Sequence, residues 1–203
     1  AKVRGWWSKY REVFGPQSLP DFEAEASNIR SFESSVVPGL LQVPEYTTAL
    51  LQGGRYTEAE EIERRTQARM ERRQVLTRIN PARLRVVLDE AALRRMIGGP
   101  AIMVEQLRHL LHMAKLPNVD VQLLPFASGS HAALAGSFTI LDFPDPHDLP
   151  IVFIETAADG FFLEEPEEVE QHIVTFSDAQ GSALSTAQSA KFIADALQSL
   201  ESD

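Results

Sequence analysis

The residues able to do chemistry are few and scattered. There are five histidines: His109, His112, His131, His147 and His172. His109 and His112 stand three apart in AIMVEQLRHLLHMAK, so one helix face can present two metal ligands or simply a polar stripe. The spacing of a zinc-peptidase helix is missing, no third ligand is evident, and no metal site is assigned. His131 lies in a run of small residues, ASGSHAALAG (127–136), between two strand-like segments. Such a loop lets a ligand reach backbone N–H groups closely, with Gly129 and Ser137 beside the imidazole. Asp89 follows the strand-like LRVVL and Glu155 closes IVFIE. Carboxylates at strand ends can meet in a cleft and transfer protons, or can serve only as caps. His131, Gly129, Ser137, Glu155 and Asp89 are therefore the candidate ligand-binding residues. No catalytic residue is assigned. Ser128, Ser130 and Ser137 lack a GxSxG elbow for a Ser–His–acid triad. No GxGxxG follows a strand and no GxxxxGK[ST] occurs, so a nucleotide phosphate cradle is not supported and no cofactor is expected.

The elements that must position these groups fit one ordinary domain. The chain has 203 residues, 44% hydrophobic and 24% charged, enough for a core without staples. It contains no cysteine, which excludes disulfides, thiolate metal sites and cysteine nucleophiles. No run approaches the ~18 apolar residues of a membrane span, and AKVRGWWSKY has no signal-peptide character, so a cytoplasmic protein with no membrane partner is expected. The start is read as that of a fragment or processed product lacking an N-terminal module.

Charge is uneven. The net value is −10, against a general nucleic-acid binder. Residues 1–115 carry 18 Lys and Arg against 14 acids, whereas residues 116–203 carry one Lys against 15 acids. Ten arginines fall within 64–95, facing only Glu71, Asp89 and Glu90. The segment reads either as a solvated helix set against acids of its own fold or a symmetry mate, or as a phosphate-facing patch.

KVRGWWSKYREVF (2–14) spaces Trp6, Trp7, Tyr10, Val13 and Phe14 helically before Gly15–Pro16 breaks the helix. The stretch from Asp21 to Val37 reads as extended. Helices follow over 40–52 and from Thr57, with Glu60 completing a capping box, to Arg78. LRVVL (84–88) is a strand, Asp89 caps a short helix, and residues 101–115 form another. VDVQLLPF, SFTILDF, IVFIE and GFFLEE read as strands, and two helices begin near Pro166 and Ser185. Consecutive late strands imply antiparallel pairing. The expected class is α+β: a mainly antiparallel sheet of four to five strands packed with several helices, the aromatic N-terminal helix serving as a connector.

Several phrases together carry a resemblance: GWWSKYREVF, FEAEASNIRSFESSVVPGLLQVPEYTTALL, ERRTQARMERRQVL, LRVVLDEAALRRMIGG, VDVQLLPFASGSHAALAGSFTILDF and IVFIE. In this order, over nearly the whole chain, they resemble the C-terminal domain of unknown function of actinobacterial XRE-type helix-turn-helix transcriptional regulators, of the WhiJ-like kind. The resemblance implies a DNA-binding module ahead of this chain. Residues 1–18 would be the connector to it and residues 19–203 the regulatory domain. It also implies contact with DNA only through that module, a small-molecule effector or a small partner protein, and a homodimer. It supplies no catalytic residues. Trp6, Trp7 and Tyr10 are then the expected lever between the domain and the DNA-binding heads. Two rival readings predict other features. A small-molecule enzyme would place its cleft near His131, Asp89 and Glu155. A pure dimerisation module would have a flat apolar interface and no deep pocket.

Overall fold

The computed structural model describes residues 9–14, 18–54, 56–156 and 160–202. Trp6 and Trp7 lie outside the described residues. Of the connector, Arg11–Phe14 (α1) is helical. Tyr10 is buried, and its hydroxyl donates to Glu71 Oε1 at 2.9 Å.

The chain folds as an α+β structure around a mixed sheet in the order β3-β2-β1-β4-β5-β6. The strands are β1 Asn28–Glu33, β2 Arg83–Asp89, β3 Val119–Leu124, β4 Phe138–Asp142, β5 Ile151–Glu155 and β6 Gly160–Leu163. β1, β2 and β3 run parallel, with Ile29 opposite Leu84 and Leu84 opposite Val119. β4 is antiparallel to β1, placing Phe32 opposite Phe138, and β5 and β6 continue antiparallel. Six strands thus replace the expected four to five, and the mainly antiparallel expectation is corrected to a mixed sheet. The difference lies in residues 21–37. That stretch divides into helix α2 (Leu19–Glu25) and β1, which becomes the sheet's centre.

Local chemistry explains the division. Asp21 Oδ2 accepts from the Ser18 backbone N–H at 2.8 Å, and Pro20, which has no N–H to leave unpaired, sits in the first turn, so Ser18, Pro20 and Asp21 mark where α2 starts. The remaining helices are α3 (Pro44–Gln52), α4 (Ala59–Arg72), α5 (Ala91–Arg94), α6 (Pro100–Met113), α7 (Pro166–Ser182) and α8 (Thr186–Ser202). Two helix starts differ from expectation. Pro44 opens α3 after a short 3-10 turn at Gly39–Leu41, and α4 begins after Glu58 rather than in a Thr57 capping box.

Crossovers of one hand that progress in one direction across a parallel sheet place their helices on the same face. Accordingly Tyr46 of α3 and Met103 and Leu107 of α6 pack with Ile29, Leu84, Val86 and Leu88. α8 adds Ile193 to this layer. The opposite face, marked by Phe32, Val87, Phe138 and Val152, is covered by Val169, Phe176 and Ala179 of α7. At the β3 edge, the Leu123 N–H donates to the Ser189 hydroxyl at 2.8 Å, and Leu123 O accepts from the Leu184 N–H at 2.8 Å.

Between β1 and α3 the chain passes through the interior, where Val37, Leu41 and Gln42 are buried. Side chains answer its backbone. The Val37 N–H donates to Tyr46 Oη, and Gln42 Nε2 donates to Val37 O at 2.7 Å. Gln106 Nε2 donates to Leu41 O at 2.7 Å, and its Oε1 accepts from the Val43 N–H at 2.9 Å. Gln106→Met keeps the length of the side chain but leaves both of those backbone groups unpaired. It is expected to lower unfolding free energy by about 2–4 kcal/mol in urea titration.

Candidate functional site

The direction in which the chain builds its sheet marks out a site. From β1 the crossovers move outward to β2 and β3, after which the chain returns to β1's other side as β4. Such a switch point, at the carboxyl ends of parallel strands, is where an open α/β sheet leaves room for a crevice. A cavity of about 650 Å³ opens there. Its sheet wall is built from Ser31 and Glu33 of β1, Ser137 and Thr139 at the start of β4, and Phe153 and Glu155 of β5. α4 supplies the opposite wall through Arg65, Arg69 and Arg72, whose i, i+4, i+7 spacing places them on one helix face. The buried loop Val37–Gln42, Leu50 and Leu51 of α3, Tyr56 and Glu23 of α2 close the remaining sides.

The three arginines meet different fates. Arg72 and Glu23 form a two-pronged pair, Nε to Oε2 at 2.9 Å and Nη2 to Oε1 at 2.7 Å, with side chains only 11% and 5% exposed. Burial works against the Arg72 charge, but Glu23's charge and hydrogen bonds outweigh it and raise the pKa. Arg65 pairs with Glu61 at 2.8 Å and lies over the Tyr56 ring, 4.0 Å from its centroid. Arg69 donates from Nη1 to Gln42 Oε1 at 3.0 Å and has no carboxylate partner among the described residues. Burial first, and then the neighbouring Arg72 charge, pull its pKa down to about 10. It therefore remains a cation at neutral pH.

Across the cavity, Glu33 Oε1 accepts from the Ser31 hydroxyl at 2.9 Å, with no cation bound to it among the described residues. The carboxyl is enclosed by protein yet retains surface open to the cavity. Burial pushes its pKa up to about 7; the Ser31 bond opposes the rise and the Glu155 charge adds to it.

The five residues singled out by the sequence divide between two faces of the sheet. Ser137 and Glu155 line the cavity. His131 and Asp89 do not, because β1 and β2 alternate. Asp89 lies on the same side of β2 as Val87, and the His131 ring packs on Phe32, centroids 5.5 Å apart. His131 Nε2 is 3.8 Å from Asp89 Oδ2, beyond hydrogen-bond range, and its buried Nδ1 has no partner among the described residues. Asp89 Oδ1 accepts from the Ala91 N–H at 2.8 Å and so caps α5. Gly129 ends a 3-10 turn at Phe126–Ser128 with φ 69°, a left-handed conformation that suits glycine. The enzyme cleft expected from His131, Asp89 and Glu155 is therefore not assembled. His109 is half-buried. Arg73 Nη2 lies 3.1 Å from its Nε2, and a guanidinium can only donate, so this nitrogen is an acceptor. Burial and then the Arg73 charge hold its pKa down at about 4. Among the described residues no group of three or more His, Asp and Glu is placed to hold a metal.

The arginine-rich segment is largely used inside the fold. Arg64 pairs with Glu12, Arg83 with Asp120 and Arg94 with Glu90, and Arg78 donates to the Ala24 and Ala26 carbonyls. Most of these partners come from the first half of the chain rather than its acidic second half. Glu23, Glu33, Arg69 and Arg72 join the site although they are not among the candidates read from the sequence. The signals for them were the helical spacing of the arginines and the polar alternation of Ser31 and Glu33.

Glu33 gives the site a pH signature. Its folded pKa of about 7 exceeds the ordinary 4.5, so the fold favours the protonated form. That contribution is complete below the unfolded pKa and is lost as pH rises toward 7. Glu33→Gln is therefore expected to gain stability over wild type by on the order of 2 kcal/mol between pH 5 and pH 8. Urea titrations at both pH values check this, and a difference independent of pH contradicts it.

Among the described residues no helix is long and apolar enough to cross a membrane. No curated protein and no solved structure matches the chain. A family model described as a domain of unknown function, DUF5753, matches residues 16–195, and the chain belongs to that family.

Proposed function

We propose that this chain is the C-terminal regulatory domain of a helix-turn-helix transcriptional regulator and that it senses a small molecule in the cavity between α4 and the sheet. The observation that carries the reading is the half-buried Arg69, which has no carboxylate partner among the described residues, in a chamber of about 650 Å³. Ligand sites are typically ~300–1,000 Å³, mostly apolar and furnished with a few convergent polar groups. The volume favours ligand sensing over a module that only dimerises. The helix-turn-helix context, DNA contact through the preceding module, the homodimer and the cytoplasmic location rest on the sequence resemblance.

α4 offers the route from ligand to DNA. Its cavity face carries Arg65, Arg69 and Arg72, while it also holds the connector. Glu71 accepts from Lys9 Nζ at 2.6 Å and from the Tyr10 hydroxyl at 2.9 Å, and Arg64 pairs with Glu12. Arg65 belongs to both sides, since it lines the cavity and donates from Nη1 to Val13 O at 3.3 Å. A ligand that prefers one position of α4 thereby biases the connector, and with it the spacing of two heads in a dimer.

Native mass spectrometry of the regulator purified from its own host tests the reading. Wild type is expected to carry a stoichiometric small molecule that Arg69→Met releases, with operator affinity changed in the variant. A wild-type protein without bound small molecule, together with an operator affinity untouched by Arg69→Met, overturns it.

A further inference from the structure

We infer that the ligand of the cavity is a small zwitterion of the amino-acid or short-peptide class, its carboxylate seated on Arg69 and its ammonium against Glu33 and Glu155. The inference rests on the sensing role proposed above and goes further by stating the ligand's charges.

The helix wall calls for one anion. A guanidinium has five N–H donors, and among the described residues Arg69 uses only Nη1, toward Gln42. Among the described residues none of its nitrogens is both buried and without a partner, and the side chain lines the chamber. Their planar fork fits a carboxylate. The neighbouring arginines are already committed, Arg72 to Glu23 by two bonds and Arg65 to Glu61.

The sheet wall calls for a cation. Glu33 and Glu155 both line the cavity, and neither has a cation within ion-pair distance among the described residues. Glu33 feels the Glu155 charge, and Glu155 also acts electrostatically on Arg69. An unmatched cation and two unmatched carboxyls thus face one chamber.

Charge selects among ligand classes. A phosphate or dicarboxylate would set several negative charges beside Glu33 and Glu155. A simple amine would leave Arg69 unanswered. A zwitterion meets both walls and enters with no net charge to desolvate. Leu40, Leu51 and Phe153 offer the apolar surface for its body, and the volume has room for a dipeptide.

Calorimetry at neutral pH, with the protein amino acids and a set of dipeptides as probes, tests the inference. For the side chain that binds best, the same titration is run with the N-acetyl form, which lacks the ammonium, and the amide, which lacks the carboxylate. The zwitterion is expected to bind at least about tenfold more tightly than either blocked form. Arg69→Met should erase the preference over the amide but keep binding of the amide itself, which also shows that the variant is folded. The double variant Glu33→Gln, Glu155→Gln should erase the preference over the N-acetyl form. An N-acetyl form that binds as well as the zwitterion overturns the inference in favour of a plain anion site. Failure of every zwitterion, while native mass spectrometry finds another small molecule released by Arg69→Met, overturns the zwitterion and leaves sensing intact. Failure of every zwitterion with nothing retained removes both.

Discussion

A stretch of chain passing through a protein interior must have its backbone polar groups answered, and the segment from Val37 to Val43 meets that demand with side chains. Its short 3-10 turn answers part of the demand, the Leu41 N–H donating to Pro38 O at 2.9 Å. Tyr46, Gln42 and Gln106 supply the missing partners. Gln42 does two things at once, since its Oε1 also receives the Thr47 hydroxyl and the Arg69 guanidinium. The side of the cavity formed by this segment and the charged group inside are therefore held by one amide. A chamber of this size would collapse between mobile walls. Here one wall is a sheet, another a helix, and a third is a loop fixed by hydrogen bonds from two buried glutamines.

Within that frame the electrostatics are uneven by construction. Three arginines on one face of α4 repel one another, and burial sharpens the repulsion. Two are compensated by carboxylates. Keeping the third without a carboxylate partner among the described residues costs stability, as does keeping Glu33 opposite it without a cation. Groups arranged so that each lacks its complement are common at functional sites and uncommon in purely structural cores. The charge asymmetry along the chain has a related meaning. The basic segment is mostly consumed within the first half of the chain, so the acidic second half keeps its charge on the surface.

Much of the secondary structure was legible because it follows periodicity. The segments of α6, α7, α8, β2, β3, β4 and β5 all declare themselves by apolar spacing and flanking proline or glycine. β1 does not, although it is the central strand. Only Ile29 and Phe32 mark it, because Ser31 and Glu33 face the cavity where apolar residues would otherwise stand. The residues that make the site thus hid the strand that carries it, and with it the parallel half of the sheet. α2 was hidden by brevity, although Ser18 and Asp21 spell its start. Ser137 and Glu155 are legible because they open or close readable strands. His131 and Asp89 satisfy the same logic yet lie on the far face, since strand ends converge only when side chains point the same way. The arginines were visible as composition, while their direction required α4 to be set against β1.

The finish of the β3 edge bears on how copies of this chain can meet. An outer strand normally presents a ladder of open N–H and C=O groups to any neighbour, including a half-folded copy of itself. At Leu123 both groups are already engaged, one by the Ser189 hydroxyl and the other by the Leu184 N–H. The Gln122 side chain also donates to Leu184 O at 2.9 Å, tying the entry of α8 to the same strand. A second chain cannot extend the sheet from this side without first displacing α8. The fold thereby carries its own guard against edge-to-edge polymerisation on its parallel side, and any pairing of protomers there must be made by helices rather than by shared strands.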